Sequence, residues 1–305
     1  MRRVSLHLVV GIVVCLLVAT SASAQVARVF LAGTGDDAGD CTNQATPCRS
    51  LQGAVTACPA NGEIIILDNG GYGSANITKS LTVNASAGIV AFIARTITVN
   101  IASTDKVVLR GLSMNGVVFG DADGMAFTGG GTLVVENSVI AGFSNAAINQ
   151  AMAGSNLIVN NCEIRNNNYG VWNSTASNTN TNTVIENSRF EYNSYGVECA
   201  GGTANVSIRR SVLANNFLGV RPSSSSQTQP VLIVVDTCTI AHNGVGTEAV
   251  ANFGGSATIR VSNSTIDHNG RGMNFISAGA IESYGNNRVT ANTNNSTFSG
   301  TVLLQ

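Results

Sequence analysis

Trp172, Glu198, Arg221, Glu248 and Asn274 succeed one another at intervals of 26, 23, 27 and 26 residues, and each stands two positions after a glycine. Tyr169 and Tyr195 stand three residues before the first two members of that series, and Trp172 is the only tryptophan in the chain. Aromatic faces stack on sugar rings, and carboxylates with an arginine bind hydroxyls or acidic sugars. Tyr169, Trp172, Tyr195, Glu198 and Arg221 are therefore the candidate ligand-binding residues. Glu198 and Glu248 are the weak candidates for an acid–base pair. If they lie two coils apart on a sheet they are separated by ~9.6 Å, near the upper end for an inverting glycosidase. Arg221 between them is expected to keep both ionised, which removes the general acid, so no catalytic residue is assigned. Other clusters are poorer still. His242 and His268 recur 26 residues apart without a third ligand, and strand alternation points Asp267 away from His268. Asp36, Asp37 and Asp40 lack the spacing of a calcium loop and suit a solvated capping loop. No cysteine–histidine spacing fits zinc, and neither a metal nor a cofactor is expected.

Those intervals belong to a repeat. The segments VENSVI (135–140), VNNCEI (159–164), IENSRF (185–190), IRRSVL (208–213), VDTCTI (235–240) and VSNSTI (261–266) share one pattern. Three residues after each of the last five comes Asn167, Asn193, Asn216, Asn243 or Asn269, and three further on a glycine; the first copy has Phe143 instead. Each unit holds three apolar pieces too short for helices and separated by Asn or Gly, the signature of strands and tight turns. One such unit cannot bury its own apolar face, whereas stacked units form a continuous core. The recurring Asn is expected inside a turn, as a hydrogen-bonded ladder. Outward charges at Glu163, Arg189, Arg165 and Glu191 are expected to pair between neighbouring coils.

With that N-x-x-G-apolar signature the chain resembles the right-handed parallel β-helix proteins of the pectate-lyase-like superfamily over about residues 60–300. The resemblance implies an all-β right-handed parallel solenoid of about ten coils, with residues 50–58 as a short N-terminal capping helix over its open end. Ser50 is the expected N-cap, and Leu51, Ala54 and Val55 the buried face. The organisation expected is residues 1–24 as a signal peptide, 25–60 as an N-terminal cap with a Cys-containing loop, and 61–305 as the β-helix. Enzymes of this superfamily carry recognisable motifs, namely N-T-D, D-D and G-H-G in polygalacturonase-like hydrolases and Q-D-T in pectin methylesterases. None stands here at the expected places.

Composition limits the remaining choices. Sixteen Lys+Arg against 17 Asp+Glu leave no basic footprint for nucleic acid, and 11% charged residues are too few for a coiled coil. Arg2 and Arg3, an apolar stretch at residues 8–18 and Ala22-Ser23-Ala24 form a signal-peptide pattern, with no membrane-spanning segment after it. Export to the periplasm, cell surface or medium permits disulfides. Cys41 and Cys48 are close enough to staple a loop, with Cys58 as a rival partner, while Cys162 and Cys238 are expected to be free core thiols. The reading is an exported, non-catalytic carbohydrate-binding or cell-surface/envelope protein with polysaccharide as its possible partner. A polysaccharide lyase or glycoside hydrolase with a non-standard site is the alternative.

Overall fold

Each repeat folds into three short strands that run up one side of a coil after another, and the coils stack through parallel pairing. The computed structural model describes residues 27–175 and 178–303, so the expected signal peptide lies outside the described residues. Three parallel sheets hold twelve, ten and nine strands. In a typical coil the first sheet takes Asn156–Asn160, the second Glu163–Arg165 and the third Tyr169–Asn173. The smallest sheet has nine strands, so slightly fewer complete coils close than the ten expected, with partial coils at both ends.

The alternation within each strand fills the interior. Ile140, Ile164, Phe190, Leu213, Ile240 and Ile266, which end the repeated segments, are all fully buried. Single residues with left-handed backbone turn the corners. Asn137, Asn161, Asn187 and Asn263 do so between the first and second sheets, with φ of 49–53°. Asn166, Tyr192, Asn215, His242 and His268 do so between the second and third, with φ of 52–58°. Asn tolerates that conformation better than most other side chains, which accounts for its recurrence at these corners.

The residue after the second corner builds the expected ladder. The Asn193 backbone N–H and side-chain Nδ2 both donate to Asn216 Oδ1, at 3.0 and 3.1 Å, and Asn216 repeats the pattern on Asn243. The ladder runs from Asn167 to Asn269 and on to Asn292, one rung beyond the repeat as read from sequence. A second ladder lines the first corner. Ser188 N donates to Ser211 Oγ at 3.1 Å, and Cys238 N to Ser264 Oγ at 3.0 Å. The recurring glycines that follow the Asn column have a steric cause. A Cβ on Gly219 would lie 2.4 Å from the Gly246 carbonyl oxygen, and one on Gly196 2.6 Å from that of Gly219. Only glycine lets the coils approach so closely there.

At the N-terminal end the helix Leu51–Ala57 buries Leu51, Ala54 and Val55, and Ser50 Oγ accepts from Gly53 N, as expected. Asp37 accepts from Arg49 N, Ser50 N and Ser50 Oγ. Partial burial pushes its pKa up, but these hydrogen bonds outweigh burial and hold the carboxylate below its usual range. The acidic loop is thus a structural brace. Cys41 and Cys48 form the disulfide, which settles the rivalry with Cys58. Cys58, Cys162, Cys199 and Cys238 are free and buried. Cys162 and Cys238 take serine positions of the second ladder, where Cys238 Sγ donates to Asp236 O at 3.2 Å. Burial raises both thiols to about 11, so they are poor nucleophiles at neutral pH. Mass spectrometry of the non-reduced protein, alkylated after unfolding, is expected to find one crosslink, Cys41–Cys48, and alkylated Cys58, Cys162, Cys199 and Cys238. A Cys162–Cys238 crosslink would contradict the coil register.

Candidate functional site

The third sheet carries the column anticipated from sequence. Trp172 pairs in register with Asn149 on one side and Glu198 on the other, Glu198 with Arg221, and Glu248 with Asn274. Pro222 has no N–H to give, and the paired residues skip Arg221 and Pro222 opposite the next strand while the offset stays unchanged. Tyr169 pairs with Tyr195 at the start of the strands. The rings form one array, with Trp172 stacked on Tyr169 at 4.9 Å and 14°, and Tyr169 on Tyr195 at 5.0 Å and 18°. Arg221 extends it, its guanidinium carbon 5.4 Å from the centre of the Tyr195 ring.

Arg221 also lies 3.4 Å from a carboxylate oxygen of Glu198 and 3.4 Å from one of Glu248. The contact of Arg221 Nε with Glu248 is a charge contact and not a hydrogen bond, and Arg221 Nε and Glu198 Oε2 are both buried without a hydrogen-bond partner. One expectation is corrected here. Glu198 and Glu248 belong to an outward column yet are only 5% and 9% exposed, with Arg221 against both and Asn274 bonded to Glu248. Arg221 does not fully offset the effect of burial on Glu198. Burial pushes its pKa up, Arg221 opposes that, and the Glu248 carboxylate adds to the rise. Tyr169 is also pushed up, by burial first and then by the charge of Glu198.

The raised pKa has a consequence for stability with a definite sign. A carboxyl that titrates higher in the folded than in the unfolded chain favours folding while it is protonated. That contribution is lost as pH climbs from its ordinary value through the raised one. Relative to wild type, Glu198→Gln is expected to gain thermal stability as pH rises from about 4.5 toward neutrality. Melting curves that run parallel with pH for the two proteins would contradict a buried, upshifted Glu198.

His242 and His268 stack at 5.2 Å, as their spacing implied. Contrary to the alternation argument, His268 Nδ1 lies 3.4 Å from Asp267 Oδ2. His268 is a left-handed corner, which breaks the alternation and brings both side chains to one side. Among the described residues no group of three or more His, Cys, Asp or Glu could hold a metal ion. The surface ion pairs also differ from expectation. Arg165 reaches Glu163 at 2.6 Å, and Arg189 reaches Glu191, both along a strand and not between coils. The first sheet has a shallow apolar groove, not anticipated from the sequence, around Val184, Leu232 and Val234. Its signal was the unbroken apolar run VLIVV at 231–235, where Leu232 and Val234 face outward.

A three-sided stack of parallel coils with polar ladders in its corners is a parallel β-helix. The sequence pattern of the right handed beta helix region family matches residues 63–231, more than half of the chain, and the protein belongs to that family. Among solved structures, pectate lyase Pel9A superposes with a TM-score of 0.61 at 15% identity, over 90% of this chain and 79% of its own. XylC in complex with xylose gives a TM-score of 0.53 at 10% identity, over 84% and 71%. The A-module of the Azotobacter vinelandii mannuronan C-5 epimerase AlgE4 gives 0.48 at 11% identity, over 80% and 91%. For the first two, at these identities, the likeness is one of fold. No curated protein matches the chain in sequence. Among the described residues no helix is long and apolar enough to cross a membrane.

Proposed function

We propose that the protein is an exported β-helix that binds polysaccharide through the third-sheet column without cleaving it, either free or at the cell surface or envelope. The observation that carries this reading is the stacked array of Trp172, Tyr169 and Tyr195 beside Glu198, Arg221 and Glu248, all on rigid strands. The Cys41–Cys48 disulfide and the signal-peptide pattern of residues 1–24 support export. Two fold neighbours are a pectate lyase and a protein solved with xylose, which makes sugar a reasonable ligand class for such a scaffold. Against catalysis stands Arg221, which fills the space between the two glutamates where a scissile bond and water would have to sit.

One observation favours the enzyme reading: the raised pKa of Glu198 is what a general acid requires. A polysaccharide array separates the two. The purified protein is expected to bind at least one glycan and to release neither new reducing ends nor unsaturated ends. Release that disappears in Glu198→Gln would promote a lyase or glycosidase instead.

A further inference from the structure

The column fixes the charge of the site as well as its shape. Arg221, the cation between Glu198 and Glu248, is only 24% exposed and already serves both carboxylates. Glu248 is otherwise satisfied, since its second oxygen accepts from Asn274 Nδ2 at 2.5 Å, and Asn274 in turn holds Arg271 at 2.7 Å. A further carboxylate flanks the aromatic end. Asp123 accepts from Asn149 Nδ2 at 3.1 Å, and Asn149 is the register neighbour of Trp172. With its groups ionised, the face around the rings therefore has more carboxylates than guanidinium groups. Two of its polar atoms, Glu198 Oε2 and Arg221 Nε, are buried without a hydrogen-bond partner. A hydroxyl can both donate to a carboxylate and accept from a guanidinium, whereas a uronate carboxylate at neutral pH only accepts and adds a like charge to the excess of carboxylates.

From this geometry we propose that the site takes neutral glycans and discriminates against polyuronates. The preference rests on the polysaccharide-binding reading above and narrows it to an uncharged, hydroxyl-rich chain that packs against Trp172. An acidic chain would have to draw Arg221 away from two carboxylates that already hold it.

The sole tryptophan makes the test direct, because emission from Trp172 reports on the column itself. The mature protein is titrated at low salt with xylohexaose, cellohexaose, hexagalacturonate and a chitosan hexamer. At least one neutral hexamer is expected to shift or quench the emission, and hexagalacturonate to bind at least about tenfold more weakly. The gap is expected to shrink at about 1 M salt and in Glu248→Gln, which removes one negative charge and partly frees Arg221. Hexagalacturonate binding as tightly as the neutral hexamers, or the chitosan hexamer binding more tightly than they do, overturns the preference and leaves the binding site standing. If no hexamer moves the emission, the binding site itself is refuted, and the preference with it.

Discussion

Replacing Asn216 by alanine is expected to lower the unfolding free energy by about 2–4 kcal/mol, as two or more buried polar groups lose their partners. Asn216 Oδ1 accepts from both the backbone N–H and the Nδ2 of Asn193, and its own Nδ2 donates to Phe190 O, Ala214 O and Asn243 Oδ1. Without it the Asn193 N–H has no acceptor in a dry corner, and the Phe190 carbonyl loses its side-chain donor. The residue just before it provides the control. Asn215 is exposed and turns the corner at φ 56°, so Asn215→Ala is expected to cost only backbone strain, about 1 kcal/mol. Urea denaturation of both variants measures the difference. Equal midpoints for the two would mean that the buried ladder does not carry the corner.

That contrast between adjacent asparagines also shows what could be read from the sequence. The period is set by the coil, so residues one repeat apart must be vertical neighbours. For this reason the Asn167-to-Asn269 ladder, the order Trp172, Glu198, Arg221, Glu248, and the His242–His268 stack could all be placed without coordinates. The disulfide was narrowed to three cysteines, and loop geometry chose Cys41 and Cys48. Register says which residues are neighbours but not which way a long side chain leans. Arg165 could reach Glu191 in the next coil or Glu163 on its own strand, and it takes the latter. Burial of Glu198 was hidden for the same reason: alternation made it outward, and register does not say that Arg221 of the next coil lies against it. The last rung, Asn292, lay in a copy too degenerate to recognise, although its spacing of 23 from Asn269 falls within the range of the others. The Ser and Cys of the second ladder were visible in every repeated segment. Their exchangeability makes sense only once the hydrogen bonds are seen, since Sγ–H and Oγ–H both point at the carbonyl two residues back.

Trp172→Ala is expected to weaken glycan binding at least about 30-fold, equivalent to about 2 kcal/mol, which at the modest affinities of stacking sites amounts to loss of binding. The ring supplies the largest flat apolar area on the column, and its stacking on Tyr169 holds it in place before any ligand arrives. A preorganised ring gives up little freedom on binding, so most of its contact energy appears as affinity, and truncation removes it. Removal of Tyr169 acts differently, because it leaves Trp172 in place but unsupported. Tyr169→Ala is therefore expected to lower affinity by a smaller factor, and Trp172→Phe to retain part of it. The fold is not at stake, since Trp172 points away from the core and its register partners are Asn149 and Glu198. Melting temperatures of Trp172→Ala and wild type are thus expected to agree within a few degrees. Calorimetry must replace fluorescence for this variant, since it has no tryptophan left. Binding that survives Trp172→Ala at full strength in a stably folded protein would move the glycan off the third sheet, and the outward apolar groove at Val184, Leu232 and Val234 would be the next surface to test.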